Sequence, residues 1–145
     1  MKKISNNILM ILAVSSLLLT TSCKKSNDPS PSDITSQQLT SSTWKVSVVT
    51  VDGTDQTTLF KNMTLKFTAT TYATTNGGVV WPASGTWTFV NESATAIKRE
   101  DGLEVTLADV SEAGFRMTLV WSKSTLGSGR LSSVAGTHVF TLVKQ

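Results

Sequence analysis

The chain has 145 residues with 13 basic and 10 acidic side chains, one histidine and one cysteine. That length suits a single domain. The formal charge of +3 is too small to mark a nucleic-acid binder, and a lone cysteine excludes a disulfide framework.

The first element is a leader. Lys2 and Lys3 precede an apolar run, Ile8 to Val14 and Leu17 to Leu19, and the small residues Thr20-Thr21-Ser22 lead into Cys23. A basic start, a short apolar stretch and small residues before a cut form a secretory signal. Ile8 to Leu19 is 12 residues, interrupted by Ser15 and Ser16, against the ~20 a spanning helix needs. A cysteine at the first mature position adds lipid attachment, so Cys23 is the expected lipidation site. Lys24 at the next position favours export to the outer membrane, with the leaflet left open. Removing residues 1–22 takes Lys2 and Lys3 away and leaves a net charge of +1. The membrane is then a partner through the anchor, with Lys24 and Lys25 as auxiliary contacts.

Residues 23–32, with Pro29 and Pro31 among serines, read as an extended tether. Asp33 is expected to cap a short helical turn through Leu39, and residues 33–145 form one domain. From Trp44 onward the period is two. Trp44, Val46 and Val48 alternate with polar neighbours, as do Met63, Leu65 and Phe67; Trp87 and Phe89; Leu103, Val105 and Leu107; Phe115, Met117, Leu119 and Trp121; and Phe140 and Leu142. Thr71–Thr75 and residues 95–98 complete eight strands. Asp101-Gly102 predicts a two-residue hairpin of type I′, and Asp52-Gly53 and Asn76-Gly77-Gly78 mark two further turns. The expected fold is all-β, an eight-stranded antiparallel up-and-down barrel, with a β-sandwich as the alternative.

Ser42-Thr43-Trp44-Lys45-Val46, Ser84-Gly85-Thr86-Trp87-Thr88-Phe89 and Gly136-Thr137-His138-Val139-Phe140-Thr141-Leu142 resemble, in order, the opening, middle and closing strands of small bacterial lipocalin-like lipoproteins. In the first motif, serine stands where those proteins usually carry glycine. The resemblance implies an eight-stranded barrel plugged at one end by Trp44, in a family whose members mostly have no assigned ligand.

Motifs for chemistry are sparse. His138 is the lone candidate base, facing inward by parity, and no nucleophile elbow accompanies it. Leu126-Gly127-Ser128-Gly129-Arg130 lacks the following helix that a phosphate cradle needs, and Asp52 with Asp55 makes too small a set for calcium. No enzyme activity, cofactor, metal or nucleic-acid partner is expected, and the protein is expected to be a monomer. Two functions stay open: a calyx that binds a small apolar or amphipathic ligand, and an interaction module that grips a glycan or protein partner of the envelope through its loops. The candidate mouth is Tyr72, Trp81 and Arg130, from the least regular connections. Loops of a meander alternate ends, so whether Trp81 and Arg130 meet depends on topology.

Overall fold

The computed structural model describes residues 28–122 and 135–145. Cys23 and Arg130 lie outside them. The elements in chain order are helix α1 (Pro31–Thr40), strands β1 (Thr43–Val51) and β2 (Thr54–Asp55), a 3-10 turn η1 (Thr57–Phe60), and strands β3 (Thr64–Phe67), β4 (Thr71–Thr75), β5 (Ser84–Phe89), β6 (Ala96–Arg99), β7 (Glu104–Ala108), β8 (Gly114–Trp121) and β9 (Gly136–Lys144). Each strand from β3 to β9 pairs antiparallel with the next, and β1 pairs with both β3 and β9. That last pairing closes eight strands into a barrel, and β2 adds a short ninth strand on β1. The expected up-and-down barrel is the fold.

Three local predictions need correction. Helix α1 is capped by Ser30, whose hydroxyl accepts from the Asp33 N–H at 3.1 Å while the Asp33 carboxylate takes the Ser30 N–H. Asp33 is therefore the third helical position of a capping box, not the cap, and the helix begins at Pro31, inside the expected tether. In β1 the register slips between Val46 and Val48. This β-bulge leaves Ser47 as the extra residue, its hydroxyl on the Thr141 carbonyl at 3.1 Å. Parity inverts there, so Val49 is buried and Val48 is exposed. The β6–β7 turn has positive φ at Gly102 and not at Asp101. The Gly102 N–H donates to Arg99 O and the Arg99 N–H to Leu103 O, both at 2.9 Å. This is a three-residue loop with a glycine bulge. Asp52 and Gly53 do both take positive φ, and Val51 pairs Thr54 across them, which gives the type I′ turn between β1 and β2.

The register fixes two ends. At end A lie α1, the start of β1, the turns β3–β4, β5–β6 and β7–β8, and the carboxyl terminus. At end B lie the β1–β3 excursion with β2 and η1, the β4–β5 connection, the β6–β7 turn and the open ends of β8 and β9. β8 thus ends, and β9 begins, at the end where Trp81 lies.

Candidate functional site

End A is sealed. Trp44 projects from the first strand into the lumen and donates its indole N–H to the Leu39 carbonyl of α1 at 2.7 Å. Its ring meets Phe115 edge-on with centres 5.0 Å apart. Phe67 reaches Phe115 across the barrel, 6.4 Å between centres, and packs on Trp87 at 5.6 Å. The Trp87 indole N–H is shared between the Thr68 and Thr71 carbonyls, at 3.2 and 3.1 Å. The expected plug is in place, and α1 covers it.

The waist is solid. Val49, Leu65, Ile97, Val105, Met117 and Phe140, from six strands, have no surface that water reaches from outside or from within. An eight-stranded barrel is just wide enough for side chains to fill or for one small ligand. Here side chains fill the middle.

End B is closed by its own connections. Trp81 lies in the β4–β5 connection and folds back into the barrel, leaving 1% of its surface exposed. Gly77 allows this: a Cβ there would fall on the Trp81 carbonyl oxygen and 2.6 Å from the Trp81 Cβ, so only glycine fits the approach. Tyr72, on β4, is buried and meets the Trp81 ring edge-on at 5.4 Å. The guanidinium of Arg99 stacks 4.8 Å above the Trp81 ring, donates to the Val80 carbonyl at 2.7 Å and pairs with Asp101 at 2.6 Å. Burial pushes the Tyr72 hydroxyl above its ordinary pKa, and the charge of Arg99 pulls it the other way.

Of the candidate mouth, the structure describes Tyr72 and Trp81. Tyr72 and Trp81 do come together, as buried packing partners, and the cation that meets them is Arg99. Arg130 lies outside the described residues. Arg99 was legible in principle, since it shares the inward parity of Ile97, and an arginine on a core parity signals a buried charge needing a partner. A shallow cleft of about 170 Å³ borders this cluster, lined by Asp101, Gly102, Leu103, Trp121 and Ser122.

On the other side of end B, His138 is buried against Phe60 and Phe140. Burial lowers its pKa; a hydrogen bond to Gly136 and the charge of Asp52 oppose that shift. The acid pairs serve the backbone. Asp52 accepts from the Thr137 N–H at 2.8 Å, Asp55 from the N–H and hydroxyl of Thr57 at 2.8 and 2.6 Å, and Glu100 from the Thr86 N–H at 3.2 Å. Among the described residues no three His, Cys, Asp or Glu side chains gather as a metal-ligand group.

The outer rim of end B carries apolar side chains. Leu59 on η1 and Val79 in the β4–β5 connection are both exposed. Their connections are tied together by the Asn76 side-chain amide, which donates to the Asn62 carbonyl at 3.2 Å. Asn62 and Asn76 both hold positive φ, a conformation asparagine tolerates better than most residues. No protein-family model matches the chain, and no curated protein matches it at significant similarity.

Proposed function

We propose that the chain is a lipid-anchored module of the cell envelope, acylated at Cys23 and held to the outer membrane, that engages a protein partner through the rim of end B. The observation that carries this reading is the filled barrel. A small apolar ligand in the lumen would have to displace the waist side chains, each of which contributes about 1.5–3 kcal/mol by its burial. Between a glycan and a protein, the exposed surface favours protein. Sugar rings stack on exposed aromatic faces, whereas the large apolar side chains exposed among the described residues are Ile34, Val48, Leu59, Val79, Val90, Val120 and Val143, all aliphatic. Only the seven residues 24–30 separate Cys23 from α1, a reach of about 25 Å. Because α1 sits on end A, that end is held near the bilayer and the rim of end B is free to meet a partner.

The test places a photo-crosslinking residue at Leu59 or Val79, and at Val90 by end A as the control, in the full-length chain in cells. Crosslinks to one common protein from Leu59 and Val79, absent from Val90, are expected. A small molecule that co-purifies one-to-one with the barrel, or crosslinks from Val90 alone, would overturn the reading. The anchor is tested separately by Cys23→Ser, which should abolish acyl labelling and membrane retention.

A further inference from the structure

The rim that carries Leu59 rests on the only histidine of the chain. As η1 turns Leu59 outward it turns Phe60 inward, where the ring meets His138 edge-on with centres 6.1 Å apart. Phe140 stacks beside the imidazole at 5.9 Å and an interplanar angle of 14°, and the two phenyl rings meet each other edge-on at 5.0 Å. Nδ1 of His138 lies 3.1 Å from the Gly136 carbonyl oxygen. A carbonyl only accepts, so Nδ1 carries the hydrogen and Nε2 is left as a buried lone pair with no partner among the described residues. A proton added to Nε2 would place a charge among phenyl rings with nothing to receive its hydrogen bond.

The neighbouring groups offer little relief. Asp52, at the end of β1, is the carboxylate whose charge reaches the ring, and it is held by the Thr137 N–H on the strand edge. Its neighbours across the sheet and in the aromatic cluster are Val51 on β1, Leu119 on β8, Phe60 from η1 and Phe140 on β9, none of them titratable. On the neighbouring excursion, Asp55 of β2 and Lys61 after η1 are exposed, and Asp55 is committed to Thr57.

We propose that protonation of His138 releases η1 from end B, so that mild acid remodels the rim that presents Leu59. This deepens the docking reading by naming its regulation, while the release itself stands on the ring packing alone. The sign follows from linkage. Burial holds the pKa of the closed form below the ordinary value of about 6.5, so the opened form takes the proton first. Closure is fully held above about pH 6.5 and weakens as pH falls through and below that value. From pH 7.5 to 5.0 the open population should rise by at most roughly 30-fold, the limit set by a free imidazole in the open form.

The experiment follows the full-length chain between these pH values by two measurements. Amide hydrogen exchange reads the segment 57–62, corrected for the intrinsic pH dependence of exchange. NMR reads the imidazole, which is unique because the chain has one histidine. Exchange in 57–62 that speeds as pH falls through and below about 6.5 is expected, ahead of any titration of the closed-form imidazole, and His138→Gln should flatten the response. Exchange in 57–62 that changes by less than about twofold across this range would overturn the proposal, whether or not the closed-form imidazole titrates, as would a rise that His138→Gln leaves intact. Should the glutamine variant fail to fold, the paired measurement on the native chain decides alone. Missing crosslinks at every pH, with the exchange response intact, would sink the docking reading and leave the switch standing.

Discussion

Removing the guanidinium of Arg99 should loosen end B more than any other polar substitution. Arg99→Met keeps most of the side chain's apolar length and deletes three interactions: the bond to Val80 O at 2.7 Å, the ion pair with Asp101 at 2.6 Å and the stack on Trp81 at 4.8 Å. The Val80 carbonyl would lose a charged donor inside the fold, a loss of about 1–3 kcal/mol. The stack adds about 0.5–2 kcal/mol. A buried carboxylate losing a cation would add several more, but the Asp101 side chain is 26% exposed and keeps the Leu103 N–H, so that term shrinks to about 1 kcal/mol or less. Against these stands relief from desolvating the cation and from its unpartnered Nε. The net expectation is ~2–3 kcal/mol, or a fall in Tm of roughly 8–20 °C for a domain of this size. Thermal unfolding followed by tryptophan fluorescence measures it, and Trp81 should redden in the folded state as the connection lifts. A variant within about 0.5 kcal/mol of the native protein, with unchanged folded-state emission, would show that Arg99 does not latch the β4–β5 connection.

At end A, Trp44→Ala should cost about 3–5 kcal/mol, because the indole is fully buried against Phe115 and holds the Leu39 carbonyl; native-like urea unfolding would refute its role as the plug. Gly77→Ala should destabilise by about 1–3 kcal/mol and shift the Trp81 indole resonance, since the new methyl group meets the Trp81 backbone. An alanine variant as stable as the native chain would mean that the connection does not need that approach.

Strand count, antiparallel order and barrel closure were legible because a half-buried strand writes its inward face at every second residue. Met63, Leu65 and Phe67, or Phe115 through Trp121, keep strict parity and were placed correctly. The failures fall where one residue breaks the period. The bulge at Ser47 inverts the parity of β1, and the sequence VSVVTV reads equally well in either register. β2 and η1 are too short to show a period at all. The helix start was displaced because Ser30 and Asp33 both favour caps, and only the reciprocal bonds between them show which one leads. The site was less legible than the fold. Trp81 stood out as a loop tryptophan, but nothing in its neighbours says whether it covers the core or meets a partner. The close approach at Gly77 and the cation on β6 decide that, and both are tertiary facts.

The two ends of this barrel handle buried polar groups differently. At end A, the indoles of Trp44 and Trp87 both donate to backbone carbonyls. At end B, Trp81 Nε1, Arg99 Nε, Thr74 Oγ1 and His138 Nε2 are buried without a hydrogen-bond partner among the described residues. Each such group weakens the closed arrangement by about 1–3 kcal/mol, so the same sheet carries a satisfied end and a strained one. The strain gathers under the excursions that present Leu59 and Val79, which are held by the asparagine tie, the Arg99 latch and the aromatic seat of His138. Opening at end B lets water reach those four groups and recovers part of their solvation. No comparable recovery follows from opening end A. Local unfolding should therefore begin at end B while the Trp44 plug persists.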